Sequence, residues 1–168
     1  MGYCFNPGLE EDRAVLLHKS PFGILRLEAC GGMLCVCRRY DGAGVSGGCG
    51  GQAVLMEAAR QLDEYFDGTR RGFDLPLCPG GTAFQQEVWR ELLRIPYGAT
   101  VTYGLLARRV GRPGSVRAVA GVCNANPLAV IVPCHRVLGV GGRLTGYAGG
   151  LDMKEWLLRL EQPGFFCL

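Results

Sequence analysis

A thiol, an imidazole and a guanidinium stand side by side at Cys134-His135-Arg136. The thiolate is the nucleophilic form of cysteine, and flanking positive charge is expected to lower the pKa that controls it. A cysteine with an adjacent base is the composition of a covalent nucleophile. A packing cysteine with a chance histidine neighbour is the competing reading, since cysteine is commonly buried. The run Val130-Ile131-Val132 before it is short and β-branched, which predicts a buried strand. Pro133 would end its ladder pairing.

The elements around this stretch must position it. Thr82-Ala83-Phe84-Gln85 has the spacing of a capping box. The helix it opens should run over 83–95, with Phe84, Val88, Leu92 and Ile95 on one face and Trp89 beside them, before Pro96-Tyr97-Gly98 stops it. Thr102 can cap a helix over 103–110 with Leu105, Leu106 and Ala107 inward. Gly111-Arg112-Pro113-Gly114 breaks it, and Ser115 can cap another over 116–123. Helix, short turn, helix is a DNA-binding pattern, and the first residues of the second helix, where Arg117 lies, would face the bases. Any pair of antiparallel helices has this outline, so the pattern alone leaves DNA binding and plain packing both open. Residues 124–127 turn the chain, 139–150 form a Gly-rich loop, and 151–160 form a last helix with Glu161 at its end. Glycines of that kind let backbone amides approach a ligand.

The first half shows no chemistry and reads as a scaffold. Residues 14–18, 24–29 and 33–40 predict three strands, the last two joined by a turn at Gly31-Gly32. Residues 41–51 are Gly-rich and predict a mobile surface loop. Residues 52–66 carry apolar side chains at helical spacing. The fold class expected is α+β. Two domains are expected, 1–78 and 79–168, with Pro76, Pro79, Gly80 and Gly81 in the link.

A chain of 168 residues, 48% of them apolar, is long enough to bury a core. No apolar run is long enough to span a bilayer, and the N-terminus lacks the pattern of a secretory signal. Charge is unevenly placed: residues 1–81 carry 8 Lys+Arg against 10 Asp+Glu, while residues 82–168 carry 10 against 5. Nine of those ten bases are arginines, which suit phosphates and base edges. A solvated basic face is the plainer alternative. Nine cysteines, an odd number scattered through apolar contexts, argue against a secreted disulfide framework and for reduced thiols. Cys30, Cys35, Cys37 and Cys49, with His18 nearby, form a possible zinc group, but no Cys-x-x-Cys pair is among them. No metal and no cofactor is expected.

Pro133-Cys134-His135-Arg136-Val137 is preceded by Arg117-Ala118-Val119 and Asn126-Pro127. It is followed by Gly146-Tyr147-Ala148-Gly149-Gly150 and Lys154-Glu155-Trp156-Leu157-Leu158. Together these segments resemble the O6-alkylguanine-DNA alkyltransferases, over about residues 82–161. The resemblance implies a small N-terminal sheet with a packed helix, RNase H-like, and a mostly helical, winged helix-turn-helix-like C-terminal domain. It implies irreversible transfer of an alkyl group from O6-alkylguanine, and from O4-alkylthymine, in double-stranded DNA to Cys134. By the same resemblance His135 acts as base through a water, Glu161 orients it, Asn126 braces the turn, and Tyr103 donates toward purine N3. Backbone groups of Val137 and Ala148 would hold the guanine edge, beside Tyr147. Family members often carry Ser where this chain has Ala148, a change a backbone donor tolerates.

The target atom lies inside a duplex, so the base must leave the stack. The resemblance gives Arg117 the vacated place, with the helix in the minor groove. Arg108, Arg109, Arg112 and Ser115 would contact the DNA backbone. Some family members bind zinc through two cysteines and two histidines, but this chain has only two histidines and His135 is one. A monomer is expected, in the cytoplasm, or in the nucleus of a eukaryote. A non-catalytic lesion-binding module and a cysteine hydrolase remain as alternatives. Cys134 speaks against the first, and the arginine-bearing helix is unexplained by the second.

Overall fold

The computed structural model describes residues 13–42 and 51–164. The chain divides into two compact units, Met1–Gly81 and Thr82–Leu168. It is a mixed α+β protein with a small antiparallel sheet and several helices.

In the first unit β1 (Arg13–Ser20), β2 (Gly23–Cys30) and β3 (Met33–Arg39) form an antiparallel meander in the order β1-β2-β3. Alternation along β2 sends Leu25, Leu27 and Ala29 into the core. Helix α1 (Gln52–Phe66) lays Val54, Leu55, Ala58, Leu62 and Tyr65 against that face. A bulge between Glu28 and Ala29 leaves Cys35 without a partner on β2. Most of the predicted 41–51 loop lies outside the described residues.

The second unit carries the site. Helix α2 (Ala83–Leu93) begins with the capping box: the Gln85 amide donates to Thr82 Oγ1 at 3.3 Å, and the Thr82 amide to Gln85 Oε1 at 2.8 Å. It ends two residues before Ile95, which is buried in the turn that follows. Thr102 caps α3 (Tyr103–Arg109), accepting from the Leu105 amide at 3.2 Å. A turn then leads to α4 (Val116–Asn124). Ser115 occupies the capping position of α4 but makes no side-chain cap bond, contrary to the sequence expectation. Trp89 of α2 donates its indole N–H to Val122 O of α4 at 3.2 Å. Helix α5 (Leu151–Glu161) closes the unit.

Two features were not legible in the pattern. Val101–Thr102 (β4) pairs in parallel with Val137–Leu138 (β5), two residues each, too short to leave a periodic signal. The stretch 130–132 is not a strand. It is a buried turn in which the Val132 amide donates to Leu128 O at 2.8 Å and Val130 takes φ +73°. A short apolar run looks the same whether it is strand or buried turn, because burial on all sides erases the period. A β-branched residue in the left-handed region costs free energy, so the surroundings must impose it. Asn126 does so: its Oδ1 accepts from the Leu128 amide at 3.0 Å and its Nδ2 donates to Val132 O at 2.8 Å.

Thr82→Ala removes the hydroxyl half of the capping box. It should destabilise the protein by about 1 kcal/mol. Chemical denaturation would detect this as a lower midpoint at unchanged slope.

Candidate active site

Cys134 opens a single 3-10 turn, Cys134–Arg136, between the buried turn and β5. All three side chains of the turn are buried. The Cys134 Sγ accepts a hydrogen bond from Asn126 Nδ2 at 3.1 Å. The amide that braces the turn therefore also holds the thiol.

His135 and Arg136 point elsewhere, into a buried network around Glu161. His135 Nε2 lies 2.7 Å from Glu161 Oε1. Arg136 Nη2 donates to Oε1 at 2.9 Å, and Arg136 Nε to Oε2 at 2.9 Å. Arg136 Nη1 donates to Ile95 O at 2.6 Å, and the Gly98 amide donates to Glu161 Oε2 at 2.9 Å. Burial works to raise the Glu161 pKa, but the hydrogen bonds from His135 and Arg136 and the charge of Arg136 outweigh it and hold the carboxyl at about 2. Burial pushes His135 the other way, below its ordinary value; the hydrogen bond to Glu161 and its charge oppose this, and the charges of Arg136 and Lys154 add to it. A neutral imidazole beside a carboxylate must carry its proton on the nitrogen that faces the carboxylate. Nε2 is then the donor, and Nδ1 carries the lone pair.

The expectation of a lowered thiol pKa is not met. Burial pushes Cys134 up to about 11, partly offset by the Asn126 hydrogen bond and by Lys154. Neither sequence neighbour lowers it: His135 is neutral, and Arg136 is turned to Glu161. The cation that acts is Lys154, twenty residues away. Its side chain is fully buried and donates to Val137 O at 2.7 Å and Thr145 O at 2.8 Å. Sequence reasoning gave Lys154 no role. The available signal was a lysine on the buried stripe of α5, among Met153, Leu157, Leu158 and Glu161.

Tyr103 is buried, and its hydroxyl donates to Thr145 O at 3.2 Å. Burial, with charge on Cys123 and Cys134, pushes its pKa up to about 12, so it is a neutral phenol at physiological pH. Val137 and Tyr147 are buried, while Ala148 is exposed on the loop before α5. A Cβ at Gly149 would press on Met153 Sδ and the Tyr147 ring. Arg117 stands exposed in the first turn of α4, and Arg108 and Arg109 are exposed at the end of α3. Arg112 lies over the Phe84 ring at 5.0 Å from its centroid, and 3.9 Å from Glu87. The structure thus gathers Cys134, Asn126, His135, Glu161 and Tyr103 in the interior of the second unit. It leaves the arginines and Ser115 on the outside of the two helices.

The possible zinc group in the first unit is not assembled as the sequence suggested. Cys37 faces the core, where burial pushes its thiol up to about 12. His18 Nε2 sits 2.9 Å from Asp63 Oδ1, and Cys49 lies outside the described residues. Cys35 instead neighbours Cys30 and Cys78. Among the described residues, no three His, Cys, Asp or Glu side chains are grouped to hold a metal ion. Among the same residues no helix is long and apolar enough to cross a membrane.

A family model described as the DNA-binding domain of 6-O-methylguanine DNA methyltransferase matches residues 83–163. A methylated-DNA–protein-cysteine methyltransferase of Methanosarcina acetivorans is 57% identical over 110 residues, covering 66% of this chain and 70% of its own. Its namesake from Mycobacterium leprae is 47% identical over 149 residues, 85% and 88% of the two chains. The chain belongs to the methylated-DNA–protein-cysteine methyltransferases. Among solved structures, Mycobacterium tuberculosis OGT in complex with DNA matches with a TM-score of 0.79 and 42% identity, over 90% of this chain and 92% of that one. The M. tuberculosis O6-methylguanine methyltransferase gives 0.80 and 40%, over 90% and 93%. In this methyltransferase, then, the buried thiol and the His135–Glu161 pair fall within the matched domain.

Glu161 sets a pH dependence. Its pKa drops from the ordinary 4.5 to about 2 on folding. A depressed carboxyl contributes stability above its unfolded pKa and loses it as pH falls toward the folded value. Thermal unfolding should therefore show stability lost between about pH 4.5 and pH 2. Glu161→Gln should flatten that window and cost about 3–5 kcal/mol at neutral pH, because Arg136 is left buried and unpaired. Equal slopes for the two proteins would show that other carboxylates carry the acid transition.

Proposed function

We propose that the protein repairs alkylated DNA by moving the alkyl group of O6-alkylguanine, and of O4-alkylthymine, onto Cys134 in a single turnover. The observation that carries this reading is the buried Cys134 thiol next to a neutral His135 whose Nε2 is held by Glu161. A thiol pushed up to about 11 needs its proton removed during the reaction. His135 Nδ1 takes that proton through one water, and Glu161 stabilises the imidazolium that forms, a logic shared with other nucleophile–histidine–acid sites. The thiolate then attacks the alkyl carbon. The S–C bond forms, the C–O6 bond breaks, and its electron pair passes to the purine. Tyr103, a neutral phenol, turns its hydroxyl from Thr145 O to purine N3 and donates there. Backbone groups of Val137 and Ala148, with Tyr147 beside them, hold the base edge. The product is a thioether that has no leaving group to restore the thiol, so each molecule acts once.

The base reaches Cys134 only out of the stack. We infer that α3 and α4 form a winged helix-turn-helix-like reader lying in the minor groove. In this reading Arg117 fills the vacated place, and Arg108, Arg109, Arg112 and Ser115 meet the backbone. The first unit, a three-stranded meander with one packed helix, would be an RNase H-like scaffold. One molecule and one lesion suffice for the chemistry. A monomer acting on double-stranded DNA, in the cytoplasm or in a eukaryotic nucleus, needs neither cofactor nor metal.

The deciding experiment is intact mass after incubation with O6-methylguanine DNA. One added methyl group, mapped to Cys134, is expected. Cys134→Ser should abolish transfer and keep DNA binding, because a hydroxyl is far harder to ionise than a thiol. Binding without any mass change in the unaltered protein would instead indicate a lesion-binding module.

Arg117→Ala separates extrusion from chemistry. Second-order rates would be compared on duplex DNA, single-stranded DNA and free O6-benzylguanine. Losing ~1.4 kcal/mol of compensation for unstacking would slow duplex repair about tenfold and leave the free base unaffected. A phosphate contact would instead weaken binding to all DNA and lower its salt dependence. Equal losses on all three substrates would refute the extrusion role.

A further inference from the structure

The surplus positive charge of the second unit is not spread evenly. Residues 82–168 hold nine arginines and five carboxylates. Four of those carboxylates each hold an arginine, as Glu155 holds Arg159 at 2.6 Å. The fifth, Asp152, sits in the first turn of α5, where the helix dipole favours it. Among the described residues, Arg108, Arg109, Arg117 and Arg143 make no side-chain ion pair or hydrogen bond. The first three stand on α3 and α4, and the reading above puts them on DNA. Arg143 stands on neither helix, and that reading gives it no task.

Arg143 ends a short loop that follows β5. The Gly139 amide donates to Arg143 O at 2.8 Å and the Gly142 amide to Gly139 O at 3.2 Å, so the loop is closed on itself. Gly141 and Gly142 take φ +70° and +76°, a conformation that glycine adopts at little steric cost. A Cβ at Gly139 would press on Arg143 O and Thr145 Cγ2. This held backbone displays two side chains: Arg143, which is exposed, and Val140, which is 87% exposed. One exposed apolar residue is ordinary in itself, so its place decides. The loop joins the two segments assigned above to the base edge, Val137 before it and Ala148 after it. It is anchored on both sides, by the pairing of β5 with β4 and by Thr145 O, which accepts from the Tyr103 hydroxyl at 3.2 Å. A nucleotide whose base enters between those segments brings its sugar and phosphates to the loop that joins them.

We propose that the loop 139–143 is a DNA-contacting element separate from α3 and α4, in which Arg143 takes a backbone phosphate of the strand that enters the site and Val140 lies against the adjoining sugar. The inference rests on the reading of Val137 and Ala148 as the base site. A guanidinium offers a planar fork of donors that matches phosphate oxygens, and it is weakly hydrated, so little is lost on contact. The closed backbone lowers the ordering cost of binding, because the loop need not be fixed by the DNA. Such a contact carries no sequence information, which suits a protein that must find a lesion in any sequence.

The test separates a phosphate contact from a change in net charge. All proteins would carry Cys134→Ser, so that no transfer depletes the complex. Binding to O6-methylguanine DNA, duplex and single-stranded, would be followed by fluorescence anisotropy over a salt series. The parent would be compared with Arg143→Ala, Arg143→Lys, Val140→Asp and Arg159→Ala. The last removes the same charge from a guanidinium that Glu155 already holds. Arg143→Ala should flatten the slope of log K against log salt by about 0.9 on duplex and about 0.7 on single strands, one contact in each case. Arg143→Lys should keep the parent slope, and so should Arg159→Ala. Val140→Asp places a carboxylate at the loop tip and should weaken binding severalfold at low salt. An unchanged slope in Arg143→Ala overturns the proposal, and equal flattening in Arg159→Ala does so by showing net charge alone. A loss confined to duplex puts the contact on the other strand and also overturns it, as does parent-like binding of Val140→Asp. No transfer is measured here, so these slopes judge the loop, while methyl mapping in the unaltered protein judges the reading of Cys134.

Discussion

One buried carboxylate organises the candidate site. Glu161 takes the imidazole of His135, the guanidinium of Arg136 and the amide of Gly98 at once. Those bonds join three parts of the second unit: the turn with the thiol, the segment after α2, and the end of α5. Burying this anion is tolerable only because Arg136 supplies a permanent charge and the remaining lone pairs are filled. The arrangement also separates the roles of adjacent residues. Arg136 keeps Glu161 ionised, and an ionised Glu161 keeps the proton of His135 on Nε2. The lone pair of the ring is thereby directed away from the carboxylate.

A second brace meets the first at Cys134. Asn126 spends its carbonyl and amide on the strained turn at 128–132 and its remaining N–H on the sulfur. The strain at Val130 and the placement of Sγ therefore depend on one side chain. Burial raises the thiol, so Cys134 is held protonated in the interior of the unit. In the proposed single-turnover reaction, that barrier would protect the thiol from other electrophiles.

Much of this could be read from the chain, and the gaps have physical reasons. The strands, α1, the capping box of α2 and the cap of α3 followed from alternation, helical spacing and the hydroxyls of Thr82 and Thr102. Cys134 and His135 stood out because their types are rare neighbours. Glu161, Asn126 and Tyr103 came through the family resemblance, since nothing local marks them. What failed was inference from nearness in sequence. His135 and Arg136 follow Cys134 in the chain, yet a carboxylate 26 and 25 residues away engages both. Lys154, whose charge does act on the thiol, is far along the chain and shows only as a lysine on an apolar stripe. The run at 130–132 misled because a fully buried turn has no polar face to give it a period.

The order of these partners along the chain matters during synthesis. Arg136 reaches back 41 residues to Ile95 O, and Gly98 waits for a carboxylate 63 residues later. As the chain emerges, the reactive turn and its guanidinium precede the anion that neutralises them. Until Glu161 leaves the ribosome, the interior of the second unit holds positive charge with no counterpart, and its long-range closures cannot form. The nascent domain should therefore remain open, with Cys134 in solvent, and shut in one late step when the last turn of α5 docks.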